Sequence, residues 1–100
     1  MSAYMIVRVQ ISDAARYAEY IKAAPAIVAQ FGGRYIARGG ECVTLEGPQE
    51  TARVVIIEFP TLAAAKDFYQ SEQYGQARIL REGAATAQFL AIDEIGRAHV

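Results

Sequence analysis

The feature that most constrains the fold of this chain is a segment, residues 53–59, that is apolar on two opposite sides. Side chains alternate between the two faces of a β-strand, so Val55 and Ile57 share one face while Val54 and Ile56 lie on the other. A sheet with one face in water alternates apolar with polar residues. Residues 53–59 therefore predict a strand in a sheet that is covered on both faces.

The other apolar segments place this strand in a β-α-β-β-α-β order. Strands are predicted at residues 4–11, 34–37, 53–59 and 88–92. Ser12 or Asp13 is a suitable N-cap for a first helix, whose apolar side chains recur at three- and four-residue steps as far as Phe31. Thr61 caps a second helical region. This order predicts a ferredoxin-like α+β sandwich, in which both helices cover one face of an antiparallel sheet.

Two breaks interrupt these elements. Gly39 and Gly40 predict a β-bulge or bend before a further extended segment at residues 42–45. Residues 71–75 predict a break in the second helical region, which resumes over residues 77–84. Ser71 itself is expected to cap or turn the chain, because no native histidine activates it as a nucleophile.

The second apolar face of the sheet predicts a homodimer. In the first strand Tyr4 and Ile6 lie opposite Met5 and Val7, so this strand is apolar on both faces as well. Two helices cover only one of these faces, and we expect a second copy of the chain to cover the other. A chain of 100 residues buries a modest core, so this interface would add stability.

The charge and the motifs of the chain exclude several classes of function. The formal net charge is −1 and no block of Lys and Arg is present, so we expect no nucleic-acid partner. No apolar run reaches about 18 residues and no leader-like N-terminus is present, which predicts no membrane partner and a cytoplasmic location. The chain has no glycine-rich phosphate-binding motif and no cluster of His and Cys, so we expect no cofactor and no metal.

The single cysteine and the single histidine are not expected to carry chemistry. Nothing near Cys42 lowers the pKa of its thiol, so we expect a small buried or strand residue. His99 lies in a C-terminal stretch that can be encoded by the start of a common sequencing-adapter oligonucleotide. We therefore expect a single domain over residues 1–94 and a non-native read-through tail over residues 95–100.

Charged residues within the apolar strands are the first candidates for a site. Glu58 alternates with Val54 and Ile56, which directs it away from the helices, and Arg8 shares that face. A carboxylate in an apolar place is paired, hydrogen-bonded or raised in pKa. Glu58 is therefore either a general base or ligand anchor, with Arg38 nearby holding an anion, or one half of a structural ion pair at the dimer interface.

The tyrosines supply the second group of candidates. Tyr17 and Tyr20 lie on the apolar stripe of the first helix, and core packing is the expected role of both. Tyr69 and Tyr74 flank the break at Ser71, where two phenols are placed to form the rim of a pocket. Packing is an equally good explanation for these two.

The chain as a whole resembles the DUF1330 family. The matching elements are Asp13 with Tyr17 and Tyr20, residues 32–40, residues 46–47, Arg53 with residues 57–60, and residues 68–71 with Tyr74 and Arg81. The resemblance implies a dimeric α/β barrel, in which two ferredoxin-like sheets pack face to face. It also places the chain beside cofactor-free monooxygenases and muconolactone isomerases. Arg78 falls where the family is not expected to carry an arginine and is left out of the site.

These observations predict a small-molecule site in each subunit, between the helices and the sheet near the interior of the barrel. Arg38 and Arg81 are expected to contact an anion, Glu58 to act as acid, base or anchor, and Tyr69 and Tyr74 to form the rim. The expected chemistry is a cofactor-independent isomerisation, proton abstraction or oxygenation of a small anionic or polar molecule. The alternative is a non-catalytic dimeric module that binds a metabolite or a partner.

Overall fold

The elements of the chain follow the predicted order. A computed structural model describes residues 2–95; residues 96–100 of the predicted read-through tail lie outside this range. The strands are β1 (Ala3–Ile11), β2 (Arg34–Arg38), β3 (Arg53–Phe59) and β4 (Ala85–Asp93), and the helices are α1 (Ala14–Gln30), α2 (Leu62–Gln70) and α3 (Glu72–Ile79). No described helix is long and apolar enough to cross a membrane.

The four strands form one sheet in the order β2-β3-β1-β4, and every neighbouring pair is antiparallel. Val7 in β1 lies between Val55 in β3 and Phe89 in β4. Val7 and Val55 are buried beneath the helices. Ile6 points to the opposite side, which we call the outer face. The prediction of an α+β, ferredoxin-like fold is confirmed.

Helix α1 presents a buried stripe to the sheet because its apolar residues recur every three or four positions. Tyr17, Tyr20, Ala24 and Val28 are the buried members of this stripe. The helix begins where the side chain of Asp13 accepts a hydrogen bond of 3.1 Å from the backbone N–H of Arg16.

Gly33 lets the chain enter β2 close to the core. A Cβ atom at this position would lie 2.7 Å from the ring of Phe59 and 2.8 Å from a methyl group of Val28. Only glycine fits at that distance, so this residue fixes how closely the end of α1 approaches β3.

The local predictions were met in part. Residues 42–45 form no strand and Cys42 is exposed, so the prediction of a strand or buried residue there was wrong. The predicted bulge or bend at Gly39 and Gly40 is a bend at Gly39, which follows β2 with a φ of 69°, and a separate bulge lies between Tyr35 and Ala37. The break in the second helical region shrinks to Ser71, whose hydroxyl accepts a hydrogen bond from the backbone N–H of Tyr74 and starts α3 immediately.

Candidate functional site

A cleft lies between α1 and the helix-facing side of the sheet. It is lined by Val7, Tyr17, Tyr20, Ile21, Ala24, Val28, Tyr35, Arg38, Arg53, Val55, Ile57, Phe68 and Phe89. Its cavity volume is about 40 Å³, so a bound organic molecule would also extend into the solvent at the opening of the cleft. Small-molecule sites in proteins are commonly concave, mostly apolar and furnished with a few polar groups, as this cleft is.

Two arginines form the polar part of the cleft. Arg38 ends β2 and is exposed, whereas Arg53 begins β3 and is half-buried. Neither pairs with a carboxylate in the described part of the chain. The guanidinium carbon of Arg38 lies 4.4 Å from the ring centroid of Tyr35, a cation–π distance between two residues that line the cleft.

Three phenols line the cleft together with these cations. Burial raises the pKa of Tyr17 and Tyr35, although Arg53 and Arg38 respectively oppose that shift. Burial, reinforced by Tyr74, raises the pKa of Tyr20 still further. All three side chains therefore stay protonated at neutral pH and act as hydrogen-bond donors rather than as bases.

Tyr74 lies behind the cleft and not on a rim. Its side chain is fully buried, because α3 begins at Glu72 and directs it into the core. Its hydroxyl lies 2.7 Å from the hydroxyl of Tyr20 and accepts a hydrogen bond of 3.3 Å from Nη2 of Arg81. The guanidinium of Arg81 also lies 5.5 Å from the ring of Tyr20 and 5.3 Å from that of Phe89. Arg81 thus supports two residues that line the cleft.

Tyr69 lies outside the cleft. It lines a separate open groove of about 300 Å³ between α2 and β4, with Met5 and Phe89 among the groove's other residues. Its hydroxyl accepts a hydrogen bond of 3.0 Å from Nη1 of Arg78. The expected pairing of Tyr69 with Tyr74 as one rim is therefore not found, although their rings do pack, with centroids 5.3 Å apart.

Glu58 lies on the outer face, away from the cleft. Its Oε1 accepts a hydrogen bond of 2.6 Å from Nε of Arg34, the residue opposite it in the β2–β3 register. The Arg34 guanidinium lowers the pKa of this carboxyl, so Glu58 is ionised and paired at neutral pH. The sheet itself separates Glu58 from Arg38 and from Arg81. A carboxylate held in this way belongs to an ion pair and does not face a ligand in the cleft.

Several residues of the cleft were not predicted from the sequence. Arg53 alternates with Val55 and Ile57, and that period-two pattern alone places it on the helix-facing side. Tyr35 lies opposite Ile57 and is found in the same way. Tyr20 was assigned to packing because a tyrosine on an apolar stripe gives no sign that a cavity lies beside it. In residues 2–95 no cluster of three potential metal ligands is present.

Solved structures with the same fold come from several bacteria. The protein of unknown function RPA0582 from Rhodopseudomonas palustris is similar with a TM-score of 0.73 at 22% identity, over 95% of this chain and 83% of that one. SnoaB, a cofactor-independent oxygenase from Streptomyces nogalater, has a TM-score of 0.67 at 10% identity, over 95% and 94%. A dimeric ferredoxin-like protein of unknown function from Bacteroides fragilis has a TM-score of 0.62 at 15% identity, over 93% and 96%. At these identities the likeness concerns the fold alone.

At the level of sequence, the chain matches the profile described as a domain of unknown function, DUF1330, over residues 2–95. No curated protein matches the chain. The function is therefore inferred from the chemistry of the cleft.

Proposed function

This chain belongs to the DUF1330 family, and we propose that it is a cofactor-independent enzyme that acts on a small organic anion bound in the cleft between α1 and the sheet. The observation that carries this proposal is the pair Arg38 and Arg53, two residues that line an apolar cleft and have no carboxylate partner in residues 2–95. Guanidinium groups bind carboxylates and other oxyanions through charge-assisted hydrogen bonds. The rest of the cleft suits an apolar, flat body.

The polar groups of the cleft favour chemistry that starts from the anion of the substrate. Of the described residues that line it, none is a carboxylate, a histidine or a cysteine, so the side chains there stabilise negative charge rather than remove a proton. Fixed donors directed at a developing oxyanion lower the barrier to forming an enolate or phenolate. If the ionised form of the substrate is itself reactive, isomerisation or oxygenation can proceed without a cofactor. The fold shared with the oxygenase SnoaB is consistent with this reaction class.

A binding experiment tests the anion site directly. Isothermal titration calorimetry with 4-acetylbenzoate should give saturable binding to the wild-type protein. The variants Arg38→Gln and Arg53→Gln should each weaken binding by roughly tenfold or more, because each removes a charge-assisted hydrogen bond. Arg16→Gln is the matched control, since Arg16 is exposed on α1 and does not line the cleft. Equal weakening by all three variants, or no binding at all, would overturn the proposal.

The absence of a base among the lining residues also favours a second candidate, a module that binds the anion without turning it over. The two candidates differ in one reaction. The methyl protons of 4-acetylbenzoate exchange with deuterium oxide through an enolate when deuteroxide or a buffer base removes them, and proton NMR follows the loss of their signal. Exchange that the wild-type protein accelerates and Arg53→Gln does not identifies the enzyme. Binding without acceleration identifies the module.

We further propose that the functional unit is a homodimer that packs the two outer faces together as an α/β barrel. The outer face carries apolar side chains, among them Leu90 and Ile92, which are 50% and 57% exposed in the single chain. Ile6 and Ile56 lie opposite each other on the same face. Burying such a patch against its own copy is the usual solution for a two-sided apolar sheet. The description of the Bacteroides fragilis protein as dimeric supports this arrangement.

Sedimentation velocity tests the dimer. The wild-type chain should sediment as a dimer at micromolar concentration, and Ile56→Lys should convert it to a folded monomer, because a lysine would be buried in the barrel. The exposed Ile79→Lys in α3 is the control and should leave the dimer intact. A wild-type monomer would rule out the barrel.

A further inference from the structure

A chain of hydrogen bonds leads from Arg81 to the cleft. Nη2 of Arg81 donates to the hydroxyl of Tyr74 over 3.3 Å, and the hydroxyls of Tyr74 and Tyr20 lie 2.7 Å apart. Tyr74 is fully buried, whereas the ring of Tyr20 lines the cleft. The three side chains come from α1, from α3 and from the turn after α3, so the folded core holds them in place.

The direction of this chain follows from the chemistry of its first member. A guanidinium donates hydrogen bonds and accepts none, so the oxygen of Tyr74 is the acceptor for Arg81. The one hydrogen of the Tyr74 hydroxyl then needs an acceptor, and the oxygen of Tyr20 is its one candidate in the described structure. A buried hydroxyl hydrogen without an acceptor is costly, so Tyr74 donates to Tyr20.

Tyr20 consequently keeps its own hydrogen for another partner. Its second neighbour, the Arg81 guanidinium, donates to this hydroxyl and cannot accept its hydrogen. Burial raises the pKa of Tyr20, so the hydroxyl stays protonated at neutral pH. A chain of donors that starts at a cation polarises each following hydroxyl, which makes the last one a stronger donor.

We propose that Tyr20 donates a hydrogen bond to a carbonyl or oxyanion oxygen of the bound molecule, and that the cleft therefore selects organic acids that carry a second oxygen acceptor on an apolar body. This inference rests on the proposed anion site: Arg38 and Arg53 hold the carboxylate, and Tyr20 contacts the oxygen at the other end of the molecule. In the proposed reaction Tyr20 touches the oxygen on which the enolate charge develops. Arg81 and Tyr74 are positioning residues that orient it.

A matched pair of probes tests this donor. The compounds 4-acetylbenzoate and 4-isopropenylbenzoate share the carboxylate, the ring and nearly the same shape, but only the first carries a carbonyl oxygen. Calorimetry on the wild-type protein should show the acetyl compound binding about fivefold more tightly, the ratio that corresponds to one neutral hydrogen bond. Tyr20→Phe should reduce the ratio to about one by weakening only the acetyl compound. Tyr69→Phe is the control, because it removes a phenol outside the cleft and should keep the full ratio.

A measurement on the wild-type protein alone complements the variant. The infrared carbonyl stretch of bound 4-acetylbenzoate should move to lower frequency than in an aprotic solvent, and this shift needs no mutant to fold. Equal binding of both probes, or an unshifted carbonyl band, would show that Tyr20 does not donate while leaving the anion site intact. If the folded Tyr20→Phe variant keeps the wild-type ratio of affinities for the two probes, the donor is a residue other than Tyr20. Failure of both probes to bind would remove the anion site and this inference together.

Discussion

Replacing Tyr74 with phenylalanine tests the buried hydroxyl pair that supports the cleft. The side chain is fully buried, and its hydroxyl takes part in hydrogen bonds of 2.7 and 3.3 Å with Tyr20 and Arg81. Phenylalanine keeps the ring and its packing. The loss of one neutral hydrogen bond costs about 1 kcal/mol, and a partner left unpaired in the interior costs about 1–3 kcal/mol.

Two features limit the total cost. Tyr20 lines the cleft and Arg81 is half-buried, so neither partner is enclosed in the core as completely as Tyr74 is. We therefore expect Tyr74→Phe to lower the free energy of unfolding by about 2 kcal/mol. In a chain of this length such a loss lowers the melting temperature by about 8–16 °C.

Urea denaturation at one fixed protein concentration measures this cost, since dissociation of a dimer makes stability depend on concentration. Tyr69→Phe is the control: its hydroxyl accepts one hydrogen bond from an exposed arginine, so its loss should cost less than about 1 kcal/mol. The double variant Tyr20→Phe with Tyr74→Phe should lose about 1 kcal/mol less stability than the sum of the losses of the two single variants. This difference is the coupling expected for residues in contact. Equal stability of the two single variants at positions 69 and 74, or strict additivity, would refute the hydrogen-bond chain.

Two further predictions concern stability. Gly33→Ala should lower the free energy of unfolding by about 1–3 kcal/mol through overpacking, because its Cβ would lie 2.7 Å from the ring of Phe59. Gly40→Ala is the control and should cost far less, because the space around its Cβ is open. Equal melting temperatures of the two variants would contradict this prediction. Arg8 holds the pKa of Glu50 at about 2, compared with 4.5 for a free carboxyl, so the stabilising effect of this pair is complete above about pH 4.5 and is lost as the pH falls toward 2. The difference in melting temperature between the wild type and Glu50→Gln should shrink over that interval, and a constant difference would exclude the pair as its source.

The strands and their faces could be predicted from the sequence because the signal is local. Alternation fixes which side chains of β3 face the helices, and it directed Glu58 to the outer face. Local sequence does not report the register between strands. The ion pair of Glu58 with Arg34 depends on the β2–β3 register, and a bulge at Ile36 sets that register.

The candidate site was predicted only in part, because a cleft is a property of packing between distant elements. Arg38 and Arg81 lie in or beside the cleft, but Tyr74 belongs to the core and Tyr69 to another groove. Tyr74 is buried because α3 starts at Glu72, directly after the serine that ends α2, whereas Tyr69 lies on α2 itself.

The most direct test of the proposed anion site is a crystal structure of the protein with 4-acetylbenzoate. We expect the carboxylate to lie between the guanidinium groups of Arg38 and Arg53, with the aromatic ring over Val55 and the acetyl oxygen toward Tyr20. A probe bound in the groove between α2 and β4, or one that reaches the cleft with its carboxylate away from both arginines, would contradict it.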